Sequence, residues 1–384
     1  MRSDTVAINP RLLTWARQRA RFEPGMLDKR FPKLRAWEKG AANPTLRQLE
    51  HYAHAVHVPI GFLFLPEPVA ESLPITDYRT IREQGIAQPS PDLLDTLYLC
   101  QQRQDWYRDY ARVHGLDACP LVNSISINED PLTIAARLSG LLGLSMDERQ
   151  RLPTWSDALR YLIQKAEDAG VLVMASSVVG SNTHRKLEVE EFRGFALSDE
   201  LAPLVFLNAS DGKAAQKFTL AHELVYIALG QSGVFDTETG KVPELRIERW
   251  CNAVAAELLV PEEALRQVYQ ASESLQEELQ RLARHFKVSS LVILRRLFDA
   301  SMITQAVLWE TYKQELERIS AMDRGSGGGD FYRTLGARTG KRFARAVLSS
   351  TLEGQTLFQD AFRMLGVRSS ATFYQAAREL EVIL

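Results

Sequence analysis

Apolar positions recur at helical spacing along most of this chain. Within Ile8 to Pro66, Leu12, Leu13, Trp15 and Ala16 begin one amphipathic stripe. Leu34, Trp37, Leu46, Leu49 and Val56 continue it to the run Phe62–Phe64, which predicts a set of short helices. Asn43-Pro44-Thr45 reads as a helix start with proline near the first turn. Ser90 to Val113 predicts one long helix, because Leu93, Leu94, Leu97, Leu99 and Trp106 interleave with Gln, Arg and Asp. Asp130–Leu144 and Thr154–Ala169 predict two more, each opening on a capping residue. Three short runs then change character. Val171–Ser176, Phe192–Leu197 and Leu204–Asn208 are rich in β-formers, are bounded by Gly, Asp and Ser, and predict a small sheet. Helical spacing returns in Lys217–Gly230, Ile247–Pro261, Leu279–Leu297 and Thr356–Leu380. The last two read as helix-turn-helix pairs turning at Val288-Ser289 and Gly366-Val367. Ala283 is suited to the close contact of the first pair, whereas the bulk of Phe362 would splay or re-pack the second. The fold class expected is α+β, mostly helical.

Chemistry concentrates in Lys217–Gly230, KFTLAHELVYIALG. Four residues at ~100° each bring a side chain back to within ~40° of its starting direction, so His222 and Tyr226 share a face. In an HExxH helix two histidines at that spacing bind one Zn²⁺ and the intervening Glu activates the metal-bound water. Here His222 and Glu223 fill the first two positions and Tyr226 stands where the second imidazole belongs. A phenol, with a pKa of ~10, is a poor ligand unless the metal helps it ionise. The next helix supplies a carboxylate. Glu248 and Asn252 share a face that Leu259 continues, and Glu257 points roughly the opposite way. Glu248 is therefore the expected third ligand, with Asn252 orienting His222.

FTLAHELVYIALG followed by ERWCNAVAAELLVP resembles the ImmA/IrrE family of zinc metallopeptidases, itself similar to gluzincins in its two-helix site. SLPITDYRTIRE and Asn182–Leu197 extend the resemblance to roughly Asp77–Tyr269. It implies a zinc-dependent endopeptidase that cleaves a repressor or antitoxin-like partner in a stress, prophage or phage-defence circuit. The departure at Tyr226 keeps a second reading open, a catalytically impaired pseudo-peptidase acting as a DNA- or protein-binding regulator. In such α+β peptidases an edge strand aligns the substrate by main-chain hydrogen bonds. Asn182, His184 and Arg185 lie before the second strand run, where a substrate-side role or a substitute imidazole from His184 competes with a plain structural loop.

Trp37–Leu65 resembles the second half of an Xre/Cro-type helix-turn-helix module. That resemblance makes Lys29, Arg30, Lys33, Arg35 and Lys39 candidates for phosphate contact, although Pro32 limits the reading helix to a turn or two. Charge agrees. Residues 1–60 hold 11 Lys plus Arg against 5 Asp plus Glu, so a segment of +6 precedes a remainder of −8 in a chain of net −2. His51, His54 and His57 drift around their helix and read as surface residues. Three widely spaced cysteines, Cys100, Cys119 and Cys251, argue against a disulfide framework or a cysteine zinc site, and suit a cytoplasmic protein. No run approaches the ~18 apolar residues needed to span a bilayer. At 45% hydrophobic and 24% charged residues the composition is that of an ordinary globular protein. The expected domains are a helix-turn-helix domain over 1–68, and a metallopeptidase-like domain over 69–323. The latter comprises a helical lead-in at 69–170, the sheet and site helices at 171–270 and a scaffold pair at 271–323. After the hinge Arg324–Gly329 comes a helical domain over 330–384, in which Arg333, Arg338, Lys341, Arg342 and Arg345 line a basic stretch. The partners expected are a protein substrate or partner, DNA through the N-terminal domain and a second copy of the chain.

Overall fold

The computed structural model describes residues 5–77, 88–235, 246–271, 274–321 and 331–383. The chain divides into two compact units, Met1–Ile75 with Thr80–Tyr98, and Thr76–Arg79 with Leu99–Leu384.

The first unit contains α1 (Pro10–Arg19), α2 (Leu34–Glu38), α3 (Leu46–Ala55) and a 3-10 turn, Ile60–Phe64. Asn9 caps α1 by accepting the Arg11 N–H, and Pro10 occupies the first turn, where no donor is lost. At α3 the cap is Thr45, in a reciprocal capping box with Gln48. Pro44 therefore sits one residue outside the helix rather than in its first turn. Phe31, Leu34, Trp37 and Tyr52 fill the core beside Leu12 and Leu13, and the Tyr52 hydroxyl donates to the Leu13 carbonyl at 2.7 Å. α2 is only just over one turn long.

In the second unit a five-stranded sheet runs in the order β1 (Thr76–Asp77), β5 (Gly233–Phe235), β3 (Gly194–Leu197), β4 (Leu204–Asn208), β2 (Leu172–Ser176). β2 runs parallel to β4 and β1 to β5, while β3 is antiparallel to both its neighbours. Every residue of β4 is buried, which explains its unbroken apolar run. Phe195 and Phe206 oppose each other across β3 and β4 with stacked rings 5.0 Å apart.

The long helix α4 (Pro91–Val113) leads in, followed by α5 (Pro131–Leu141), α6 (Met146–Arg151) and α7 (Trp155–Asp168). α8 (Lys213–Ala228) packs on β3, β4 and α7, and α9 (Arg246–Leu259) packs on α8 and α5. α10 (Glu262–Val268), α11 (Leu275–Phe286), α12 (Ser290–Asp299) and α13 (Gln305–Ala321) follow. α11 and α12 turn at Lys287–Ser289 with Ala283 buried at the contact, as the sequence predicts.

The C-terminal helices are α14 (Phe331–Thr339), α15 (Lys341–Leu352), α16 (Phe358–Leu365) and α17 (Ser370–Glu379). One expectation changes here. The basic stretch is split at Gly340, whose φ of +76° and whose close approach to the Val173 carbonyl leave no room for a side chain. Two of its arginines turn inward while Arg345 stays exposed: Arg338 is buried, and Arg342 donates to the Glu167 carbonyl at 3.0 Å and to the Tyr107 hydroxyl at 2.8 Å. Arg103 in turn donates to the Met364 carbonyl at 2.8 Å, so cationic heads cap backbone carbonyls where the helices meet the sheet-bearing body. Phe362 lies between α16 and α17 with its ring against Phe373, centroids 5.9 Å apart, and Phe358 also packs on Phe373 at 5.1 Å, so aromatic rings fill the space between the pair. The hinge Arg324–Gly329, residues 78–87 of the connector and the side chain of Arg333 lie outside the described residues.

Candidate functional site

α8 is buried from Gln216 to Ala228, which is why its sequence is apolar nearly all round and why its few polar residues stand out. Gly230 ends it at φ +72°, and a side chain there would collide with Asn123. Two and a half turns into this helix, His222 and Glu223 are both wholly buried. The close approach of β3 depends on Gly194, where an added carbon would lie 2.7 Å from Thr219 and 3.4 Å from Glu223 Oε1. The strand beside the Glu223 carboxylate is thus an interior strand paired on both sides, not the edge strand expected to align a substrate.

α9 delivers Glu248 from its first turn, and it is 7% exposed. Its Oε2 lies 3.7 Å from His222 Nε2, so the sequence-predicted pair is brought together. Its Oε1 accepts a hydrogen bond of 2.5 Å from the Tyr226 hydroxyl. The His222 and Tyr226 rings, one turn apart, have centroids 5.1 Å apart. Tyr226 therefore does not simply stand in for a ligand: its proton occupies the carboxylate expected to be the third one. Asn252, one turn beyond Glu248, faces the imidazole, although its buried Oδ1 has no hydrogen-bond partner among the described residues. Glu257 lies on the opposite face of α9 and is ion-paired with Arg296.

Burial governs the electrostatics. It lowers the His222 imidazole to about 3, against an opposing pull from Asn252. It raises Glu223 well above the carboxylate range, and the neighbouring Glu248 adds to that. Both Glu223 oxygens are buried without a hydrogen-bond partner among the described residues. Tyr226 is raised far above the ordinary phenol by burial, then by Cys251, Glu248 and Glu223. A phenol so placed stays protonated and donates. Cys251, wholly buried beside it, is raised for the same reason.

A zinc site of this type needs three protein donors with lone pairs free for the metal. The set here is one imidazole, one carboxylate already bonded to a phenol, and that neutral phenol. Among the described residues no group of three or more His, Cys, Asp or Glu side chains is placed to hold a metal ion. The donors among the described residues do not fit a resident zinc.

The other candidates lie elsewhere. His184 and Asn182 line a separate cavity, to which none of His222, Glu223, Tyr226, Glu248 and Asn252 contributes, so His184 supplies no replacement imidazole. Lys29, Arg30, Lys33, Arg35 and Lys39 are all exposed around α2, and Arg35 is ion-paired with Asp28 at 2.6 Å. His51 and His54 sit on the exposed face of α3, and His57 follows its end at φ +51°. Sequence reasoning missed Gly194 and the Tyr226–Glu248 bond. A lone glycine inside the strand run Phe192-Arg193-Gly194-Phe195 was the available signal for the first.

A family model described as the IrrE N-terminal-like domain matches residues 166–298, from the end of α7 through α12. The match supports a place for this segment in the ImmA/IrrE family, whose function is metallopeptidase-like. A second model, described only as a domain of unknown function, matches residues 339–379. No curated protein gave a match. Among the described residues no helix is long and apolar enough to cross a membrane.

Proposed function

We propose that this chain is a regulator built on a metallopeptidase-type scaffold whose hydrolytic site is held closed by Tyr226. The observation that carries the reading is the 2.5 Å hydrogen bond from the Tyr226 hydroxyl to Glu248. A carboxylate accepting a phenol proton offers a weakened lone pair to a cation, and the phenol offers none of its own while it donates. His222 is left as the one neutral nitrogen donor, which argues against tight zinc binding. Glu223 then has no metal-bound water to activate. In this reading the scaffold recognises a repressor or antitoxin-like protein without cutting it. The exposed lysines and arginines around α2 contact nucleic-acid phosphates, a role their charge supports without base readout.

One observation favours a second reading, a working zinc endopeptidase acting on such a partner. The Glu223 carboxyl, wholly buried and with no hydrogen-bond partner among the described residues, keeps the general-base position of the HExxH pattern. Buried acids with purely structural roles are paired.

Elemental analysis of the native chain, of Tyr226→His and of His222→Ala separates the two. The closed-site reading expects little zinc in the native chain and near-stoichiometric zinc in Tyr226→His, because the imidazole adds a donor and frees Glu248. Near-stoichiometric zinc in the native chain, lost in His222→Ala, would overturn it and establish the second reading.

A further inference from the structure

The second unit holds a cavity of about 1340 Å³ that none of the residues discussed for hydrolysis lines. Its floor is the carboxyl end of two parallel strands. Ser176 closes β2, and Ala209 follows the last residue of β4. In open α/β sheets that is where ligands bind, because helix N-termini converge there. Three do so here: Ser156 from the first turn of α7, Lys213 from that of α8 and Thr372 from that of α17 all line the cavity. α7 and α17 are capped by Thr154 and Ser369, but α8 begins at Gly212 with no side-chain cap. The N–H groups of its first turn are therefore open to an anion.

The charge of the lining points the same way. Arg160, His184, Lys213, Arg338 and Arg368 line it, and no Asp or Glu does among the described residues. Arg160 is already ion-paired with Asp157 at 2.7 Å. Lys213, Arg338 and Arg368 have no ion pair among the described residues. Arg338 is the decisive one. It is 8% exposed, it donates from Nη2 to the Leu365 carbonyl at 3.1 Å, and its buried Nε has no hydrogen-bond partner among the described residues. A guanidinium held this far from water, lining the same cavity as an uncapped helix start, favours an anion there.

We propose that this cavity binds a small phosphate-bearing metabolite, with the phosphate held by Arg338, Lys213 and the open first turn of α8. Arg368 closes over it from the C-terminal helices. The volume exceeds the ~300–1,000 Å³ of ordinary ligand pockets, so the remainder of such a molecule fits along Leu159, Ile163 and Val178. Nine residues of helix, ~13 Å, separate Lys213 from His222, so this site is distinct from the hydrolytic face. Its walls come from β2, α7 and α8 on one side and α14, α17 and the Gly366-Val367 turn on the other. Ligand uptake therefore ties the C-terminal helices to the sheet.

The test is calorimetric titration of the full chain with inorganic pyrophosphate, a minimal probe, alongside a short single-stranded oligonucleotide. One saturable pyrophosphate site is expected, weakened about tenfold or more by Lys213→Ala and by Arg368→Ala. Both residues are exposed, so these variants keep the fold, and Arg338→Gln should weaken binding further. Lys313→Ala, exposed on α13, should change nothing. Absence of saturable pyrophosphate uptake would overturn the proposal, and so would equal weakening by Lys313→Ala, which indicates diffuse attraction only. Oligonucleotide binding that depends on Lys213 and Arg368 in the absence of pyrophosphate binding would make the cavity a nucleic-acid face, and would overturn it as well.

Discussion

The α8–α9 site and the α11–α13 helices both bury glutamates, and they treat them in opposite ways. In α11–α13, Glu278 and Glu315 are each 1% exposed. Glu278 meets Arg281 at 2.7 Å, and Glu315 meets Arg318 at 2.8 Å and Ser290 at 2.5 Å. Burial pushes both carboxyls up, but the arginine hydrogen bonds and their companions outweigh it and hold them below the ordinary range. At α8–α9, Glu223 is equally buried and is raised, and no hydrogen bond reaches its carboxyl among the described residues. Glu248 accepts the Tyr226 hydroxyl proton and lies 3.7 Å from His222 Nε2. α9 makes the contrast within one helix, since Glu257 on its other face has Arg296. Glu257, Glu278 and Glu315 each have a guanidinium beside the carboxyl, and Glu223 has none among the described residues.

If that contrast is right, the largest effect belongs to the paired class. Arg296→Met, which strands Glu257 and removes a hydrogen bond of 3.1 Å to the Val260 carbonyl, should cost ~3–5 kcal/mol in chemical denaturation. A loss below ~1 kcal/mol would break the comparison at its base.

Glu167 sharpens it from the middle. It is buried at the junction with the C-terminal helices and accepts the Arg342 backbone N–H at 3.1 Å, so burial raises it from 4.5 to about 7. Its unfolded form ionises near 4.5, so between 4.5 and 7 the folded state keeps a proton that the unfolded chain has lost. Stability from this group is complete below that window and is lost as pH rises through it, by ~3 kcal/mol in all. Denaturation of the native chain and of Glu167→Gln across this pH range should show the slope in the first and not in the second. Parallel slopes would remove Glu167 from the class of unpaired acids.

The smallest effect is expected where no partner exists to lose. Glu223→Gln should change stability by no more than ~1 kcal/mol, because the raised carboxyl is already neutral and makes no bond among the described residues. A loss comparable to that of Arg296→Met would mean that Glu223 is held like Glu257.

Much of the architecture was legible because its signals are local. The helix over Ser90–Val113 appears as Pro91–Val113, and the starts at Asp130 and Thr154 are the observed caps of α5 and α7. The three strand runs became β2, β3 and β4. β1 and β5 escaped, since two and three residues are too few to show alternation, and α6, with no buried residue, carries no apolar stripe. At the site, periodicity put Glu248 and Asn252 on one face of α9 and Glu257 on the other, and the structure agrees.

Local sequence specifies which residues share a helix face, where helices start and that His222, Glu223 and Tyr226 form one constellation. Helix geometry relates residues within a turn or two, and capping chemistry reaches three positions. What those faces meet is set by packing. The Tyr226 proton goes to a carboxylate 22 residues away, Arg342 turns to Glu167 and Tyr107, and Arg338 ends in a cavity beside the start of α8. Each outcome depends on how separate elements pack, and no pattern along the chain encodes the distance between two side chains brought together by folding.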